Sequence, residues 1–184
     1  MTKYSYERAT MALDATPLGP LNRRFANYWL SLWDGDNLPS RSALNPARLR
    51  DLLPGVVLLE VRGREAIRCR VAGTAIQQGL GFDITGKDWL AMTPEDQKPV
   101  RLHRIDELLA GAGSRNLREG YTVTGSQVCA EEVQFPFADV GEDGSRLLIS
   151  HVAWRAGSAA RGNPQLRDAH HIASHFQPIP LAAA

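Results

Sequence analysis

The chain has 184 residues, enough for one domain with extensions. It is 43% hydrophobic and 22% charged, as an ordinary globular protein is, and 21 basic residues against 20 acidic ones leave a formal net charge of +1. That balance supplies no global field to draw in nucleic acid or an anionic membrane, and no apolar run is long enough to span a bilayer.

Residues 1–18 read as a flexible N-terminus. They contain no apolar segment of the kind a secretory signal needs, so a reducing cytosol is the expected compartment. Cys69 and Cys129 each lie in an apolar-alternating run and read as buried free thiols rather than a disulfide framework. A helix is predicted from Pro20, where a missing backbone N–H costs nothing. Leu21, Phe25, Tyr28, Trp29, Leu32 and Trp33 form a stripe of helical period, ended by Gly35. Such an aromatic stripe either packs across the domain or pairs with a second copy of the chain, since in water it would be a liability. Phe25, Tyr28, Trp29 and Trp33 are accordingly the candidate dimer interface.

Asn45-Pro46 starts a second short helix, with Asn as cap and Pro at the first position, and Pro54-Gly55 stops it. The run VVLLEV, 56–61, reads as a strand buried on both faces. A tight turn at Arg62-Gly63-Arg64 leads into a second strand, 67–71, so the two should form a hairpin. There Arg68 and Arg70 alternate with the apolar row and can reach Glu60 on the neighbouring strand. Thr74 and Gln77 have capping-box spacing for a short helix. Gly79, Gly81 and Gly86 read as turn formers, because neither GxGxxG nor a following GKS or GKT marks a phosphate loop. A longer helix starts at Thr93-Pro94, with a kink or restart at Pro99 and Leu102, Ile105, Leu108 and Leu109 on one face.

Three more strands follow, at 116–124, 128–138 and 146–154. The middle one puts Cys129, Val133, Phe135 and Phe137 on one side, and its Pro136 demands a bulge or an unpaired N–H side. Gly141-Glu142-Asp143-Gly144 is a hairpin turn. In the last strand neither alternate row is polar, which leaves its core-facing side undecided. Beyond Arg155 the chain reads as a linker and a tail, 156–184. The fold class is therefore α+β, a five-stranded antiparallel sheet with helices on one face, an N-terminal amphipathic helix and room for a small cavity.

The segments WLSLWDGDNLPSRSALNP (29–46), LLPGVVLLEV (52–61), RCRVAGTAI (68–76) and FPF (135–137), with Gly81 and Gly86, resemble a PAS domain. The likeness is to the short stand-alone variant common in alphaproteobacteria, and the domain would span 19–155. The resemblance implies a sensory or regulatory module, bacterial and homodimeric, working through a partner signalling protein because no effector domain is recognised on the chain. It implies a cavity holding a small apolar or aromatic ligand. The alternative is a pure interaction or dimerisation scaffold with a filled core. No haem ligand, flavin-reactive cysteine or chromophore thiol of the family can be matched, so no cofactor is assigned.

Aromatic residues that could line the cavity are Trp89, Tyr121, Phe135, Phe137 and Trp154, against the simpler reading that they fill the core. His151 could hydrogen-bond a ligand and change charge near neutral pH, or be a structurally satisfied histidine. His170, His171 and His175 form HHxxxH, but the acid of HExxH and a third ligand are missing, so no metal site is assigned. No GxSxG is present, and no pair of groups is spaced for acid–base or nucleophilic work, so an enzyme is not expected.

Overall fold

A computed structural model describes residues 3–121, 127–155 and 173–182. Its centre is an antiparallel sheet of β1 (Val56–Arg62), β2 (Ala66–Ala72), β3 (Ala112–Tyr121), β4 (Gln127–Val140), β5 (Arg146–Arg155) and β6 (Ala173–Pro180). The strand order is β2-β1-β5-β4-β3-β6. The fold is α+β as expected, but with six strands rather than five. The sixth, β6, pairs with β3 in the region read from sequence as linker and tail. Its Pro178 and Pro180 are tolerated because β6 is an edge strand, where a missing N–H interrupts no ladder.

β1 is what its continuous apolar run predicts. Val56 and Leu58 are buried on one face of the sheet, and Val57, Leu59 and Val61 on the other. A bulge falls between Leu58 and Leu59, and Arg70 on β2 makes a forked ion pair with Glu60, its Nε 2.9 Å from Oε2. Pro136 sits where the β4–β5 register shifts, the bulge that its absent donor requires.

Helices cover both faces of the sheet, not one. On the first face lie α1 (Tyr6–Ala15) and α2 (Pro20–Leu30). α1 occupies the stretch read as a flexible N-terminus. The Ser5 hydroxyl accepts from the Arg8 N–H at its start, and Ala9 and Leu13, four apart, are buried. At its end the Arg23 guanidinium donates to the Leu13 and Thr16 carbonyls at 2.7 and 2.6 Å, satisfying groups the last turn leaves open. α2 begins at Pro20 as expected and lays its aromatic stripe on the sheet. Phe25 is fully buried, and Trp29 stacks on Phe135 with ring centroids 4.4 Å apart. Tyr28 and Trp33 are half-buried. The Tyr28 hydroxyl accepts from the Asn45 N–H at 2.8 Å, and Trp33 meets Trp29 and Tyr6 edge-on. Of the candidate dimer residues, Phe25 and Trp29 are thus spent in the chain's own core.

On the second face lie α3 (Thr74–Leu80) and α4 (Lys98–Leu109). The capping box is not formed: Gly73, not Thr74, is the cap, and the Gln77 amide instead donates to the Ala72 carbonyl. Gly81 closes α3 at φ +77°, the left-handed conformation that favours glycine. Before α4, a 3-10 turn, Glu95–Gln97, gives way to the helix at Lys98 with Pro99 in its first turn, the restart that proline predicted.

Candidate functional site

The two faces differ in how they are filled. The α1–α2 face is packed solid by Phe25, Trp29, Val133, Phe135, Phe137 and Ile149. Between the sheet and α3–α4 lie two adjoining, partly open cavities, of about 310 and about 270 Å³, which share Val57, Trp89, Gln97, Arg101 and Arg118. Both are within reach of the size of small-molecule sites.

Strand alternation decides what each residue sees. On β5 the row Ile149 and His151 faces α2, while Val152 and Trp154 face the cavity. On β4 Val133, Phe135 and Phe137 face α2, while Ala130, Glu132 and Gln134 face the cavity. Of the aromatic candidates, Trp89 and Trp154 therefore line the cavity. Phe135 and Phe137 are core residues on the opposite side of the sheet, and so is His151. Tyr121 closes β3, and its side chain lies outside the description. His170 and His171 also lie outside the described residues, and His175 stands on β6 opposite Leu117.

Trp89 is held by the loop that follows α3. The Trp89 N–H donates to the Ile67 carbonyl at 2.7 Å, and the Asp88 carboxylate accepts from the N–H groups of Ile67 and Leu90 at 3.1 and 2.9 Å. These bonds run along the free side of β2 and cover an edge that would otherwise be open to another strand. Trp154 owes its place to Gly79: a Cβ there would overlap the indole. Around these two rings, the smaller cavity is apolar, with Ile76, Leu80, Phe82, Ile84 and Met92.

The larger cavity carries most of the charged side chains. α4 turns Arg101 and Arg104 toward the sheet along the side that carries Ile105 and Leu108, and β3 adds Asn116 and Arg118. Arg118 pairs with the buried Glu132. The Arg101 guanidinium carbon lies 5.0 Å from the Trp89 ring centroid, a cation–π contact, and the Arg104 one 5.4 Å from that of Phe176. Burial, together with the charges of Arg118 and Arg104 and against that of Glu132, brings Arg101 down to about 10. Among the described residues its buried Nε has no hydrogen-bond partner, nor has the Oδ1 of the fully buried Asn116. Asp96 and Glu119 also border the cavities, but both are exposed.

Sequence reasoning missed this polar set. On α4 the apolar signal lies in Leu102, Ile105, Leu108 and Leu109, although Arg101 and Arg104 fall four residues before Ile105 and Leu108, on the same side of the helix. On β3 and β4 the sequence signal lies in the apolar rows, whereas the polar row Asn116, Arg118, Glu132 and Gln134 belongs to the cavity.

The first face carries a buried polar network of its own. Glu131, 1% exposed, accepts from the Gly19 N–H at 2.7 Å and the Asn22 amide at 3.0 Å, and pairs with Arg115 at 2.8 Å. Burial works against its ionisation, but these donors outweigh it and hold the carboxyl below its ordinary value. The Asn22 Nδ2 also donates to the Glu131 carbonyl, so its Oδ1 must face His151, 2.6 Å from Nδ1. That geometry puts the imidazole proton on Nδ1. Burial pushes His151 down to about 4, a hydrogen bond with the Leu52 backbone acting the other way. His151 is thus the structurally satisfied histidine, stacked on Phe25 at 5.3 Å.

A family model described as "PAS domain" matches residues 19–147, and the chain belongs to that family. The match runs from the cap of α2 into β5, so α1 and β6 lie outside it. No curated protein matches the chain. Among solved structures, the chain is similar to the PAS domain of an HTR-like protein from Haloarcula marismortui. The identity is 14%, over 60% of this chain and 96% of that one, with a TM-score of 0.37. PAS domains are in general sensory and signalling modules rather than catalysts. None of the described helices is long and apolar enough to cross a membrane.

Proposed function

We propose that the chain is a sensory PAS module that holds a small molecule between the sheet and α3–α4 and reports its presence through α2. The observation that carries this reading is the contrast between the two faces. One is filled by close-packed aromatic rings, while the other keeps ligand-sized space, bordered by Arg101 and Asn116, whose buried Nε and Oδ1 lack partners among the described residues. Buried polar groups are normally satisfied, and a group left otherwise inside a cavity is one a ligand can satisfy. A scaffold with a filled core would lack the space.

β4 gives the sheet a means of coupling its faces. Glu132 points into the cavity and pairs with Arg118, and its neighbour Glu131 points the other way and holds Gly19 and Asn22 at the start of α2. A ligand whose charge falls beside Arg118 changes the load on Glu132 and, one residue along, the anchor of α2. The output passes to a partner protein or to a second copy of the chain, by a shift between two arrangements of α2.

The test is native mass spectrometry of freshly purified protein, with thermal denaturation across a metabolite panel. A ligand at a hundred times its Kd adds about 2.7 kcal/mol, or about 5–10 °C for a chain of this size. A co-purifying species or a shift of that order is expected. An empty protein that no metabolite stabilises would return the chain to the scaffold reading.

A further inference from the structure

The proposed sensor leaves the chemistry of its ligand open, and the two cavities narrow it. They meet at Trp89, Arg101 and Arg118 but differ in character. One carries three guanidinium groups against one buried carboxylate, and the other is walled by Ile76, Phe82, Met92 and Trp154. The three arginines are not equally available. Arg118 is committed to Glu132, and Arg104 lies against Phe176. Among the described residues Arg101 makes no ion pair, and its buried Nε has no partner. It stands at the junction, over the ring of Trp89.

We infer that the cavity takes a small amphipathic monocarboxylic acid, its carboxylate on Arg101 and its apolar body between Trp89 and Trp154. This rests on the sensor reading. One uncommitted guanidinium calls for one negative charge, and its planar fork matches a carboxylate. Its partial burial makes such a pair strong and costly to leave unmade. The Asn116 Oδ1 accepts rather than donates, so it does not hold the carboxylate; a hydroxyl or amide N–H on the same ligand would satisfy it. At ~30 Å³ per water, the cavity beside Arg101 has room for about ten waters, which suits a compact acid.

The test is thermal denaturation and tryptophan-fluorescence titration of the full chain with phenylacetate, hexanoate, phenylacetamide and inorganic phosphate. Saturable stabilisation by at least one of the two apolar acids is expected, with none from the amide or from phosphate. Arg101→Gln should weaken acid binding about 10- to 100-fold. Its own melting temperature should be equal to or above that of the wild type, since it removes an unpaired, half-buried cation. If Arg101→Gln fails to fold, the comparison of phenylacetate with phenylacetamide on the wild type still decides. Equal binding of acid and amide, or undiminished binding of the acid by folded Arg101→Gln, would overturn the inference and leave the sensor reading standing. Phosphate binding as tightly as the acids would overturn it in favour of a simple anion site. No response to any of the four would also overturn it, and the metabolite panel would then decide the sensor reading separately.

Discussion

Lowering the pH from 7 to 5 loads a proton onto His151 in the unfolded chain and leaves it neutral in the folded one. Its folded pKa is about 4, because burial penalises the imidazolium, against an ordinary value of 6.5. The unfolded state therefore binds more protons throughout this window, and stability must fall as the pH falls. It is fully present above 6.5 and is lost progressively down to 4. At about 1.4 kcal/mol per pH unit, the drop from 6.5 to 5 costs about 2 kcal/mol. Glu131 does not confound the measurement: its depressed carboxyl contributes stability that is lost only below the ordinary glutamate range. The assay is urea denaturation at pH 7 and pH 5 for the wild type and for His151→Gln, whose amide can still donate to Asn22. The wild type should lose about 2 kcal/mol more than the variant. Equal losses would refute the assignment of a neutral, buried His151 and place the acid sensitivity elsewhere.

The α2 stripe makes a second prediction. Trp29→Ser should cost about 3–5 kcal/mol by chemical denaturation, because the indole is buried within the chain; a stable variant altered only in its sedimentation would mean that the stripe is an intermolecular surface after all. Glu131→Gln breaks a buried ion pair and should cost about 3 kcal/mol in the same assay, whereas no change would show that the donors around it are satisfied otherwise. Gly79→Ala sets about 1 kcal/mol of helix propensity against overlap with Trp154. Overpacking of this kind costs about 1–3 kcal/mol, so the variant should melt lower. A higher melting temperature would mean that the indole moves aside at no cost.

Much of the fold is legible in local chemistry. The unbroken apolar run of β1, the proline that opens α2, the glycine that closes α3 and the bulge at Pro136 all follow from one residue's backbone or from one short pattern. The two-sided covering of the sheet was also present in the sequence. Neither row of β5 is polar, which is what a strand with helices on both faces looks like. β6 was not legible, since its prolines speak against a strand until β3 is there to pair with it. α1 has only two buried anchors, Ala9 and Leu13, too few for a periodic signal. The partner of His151 is Asn22, 129 residues away, and no local pattern reports that contact. The arginines of α4 had the right spacing, but nothing local distinguishes them from a solvated face, because only β3 and β4 folded beneath them turn that face into a cavity wall.

The four tryptophans give the most direct test of the whole account. Trp89 and Trp154 line the cavity, and Trp29 and Trp33 pack on the other side of the sheet. Their indole N–H signals in a 15N–1H correlation spectrum report separately on the two faces during a titration with phenylacetate. The account predicts large, saturable shifts of the Trp89 and Trp154 signals, with a smaller response at Trp29 as α2 adjusts. Shifts confined to Trp29 and Trp33, or four unmoved signals in the presence of a ligand that stabilises the protein, would contradict it.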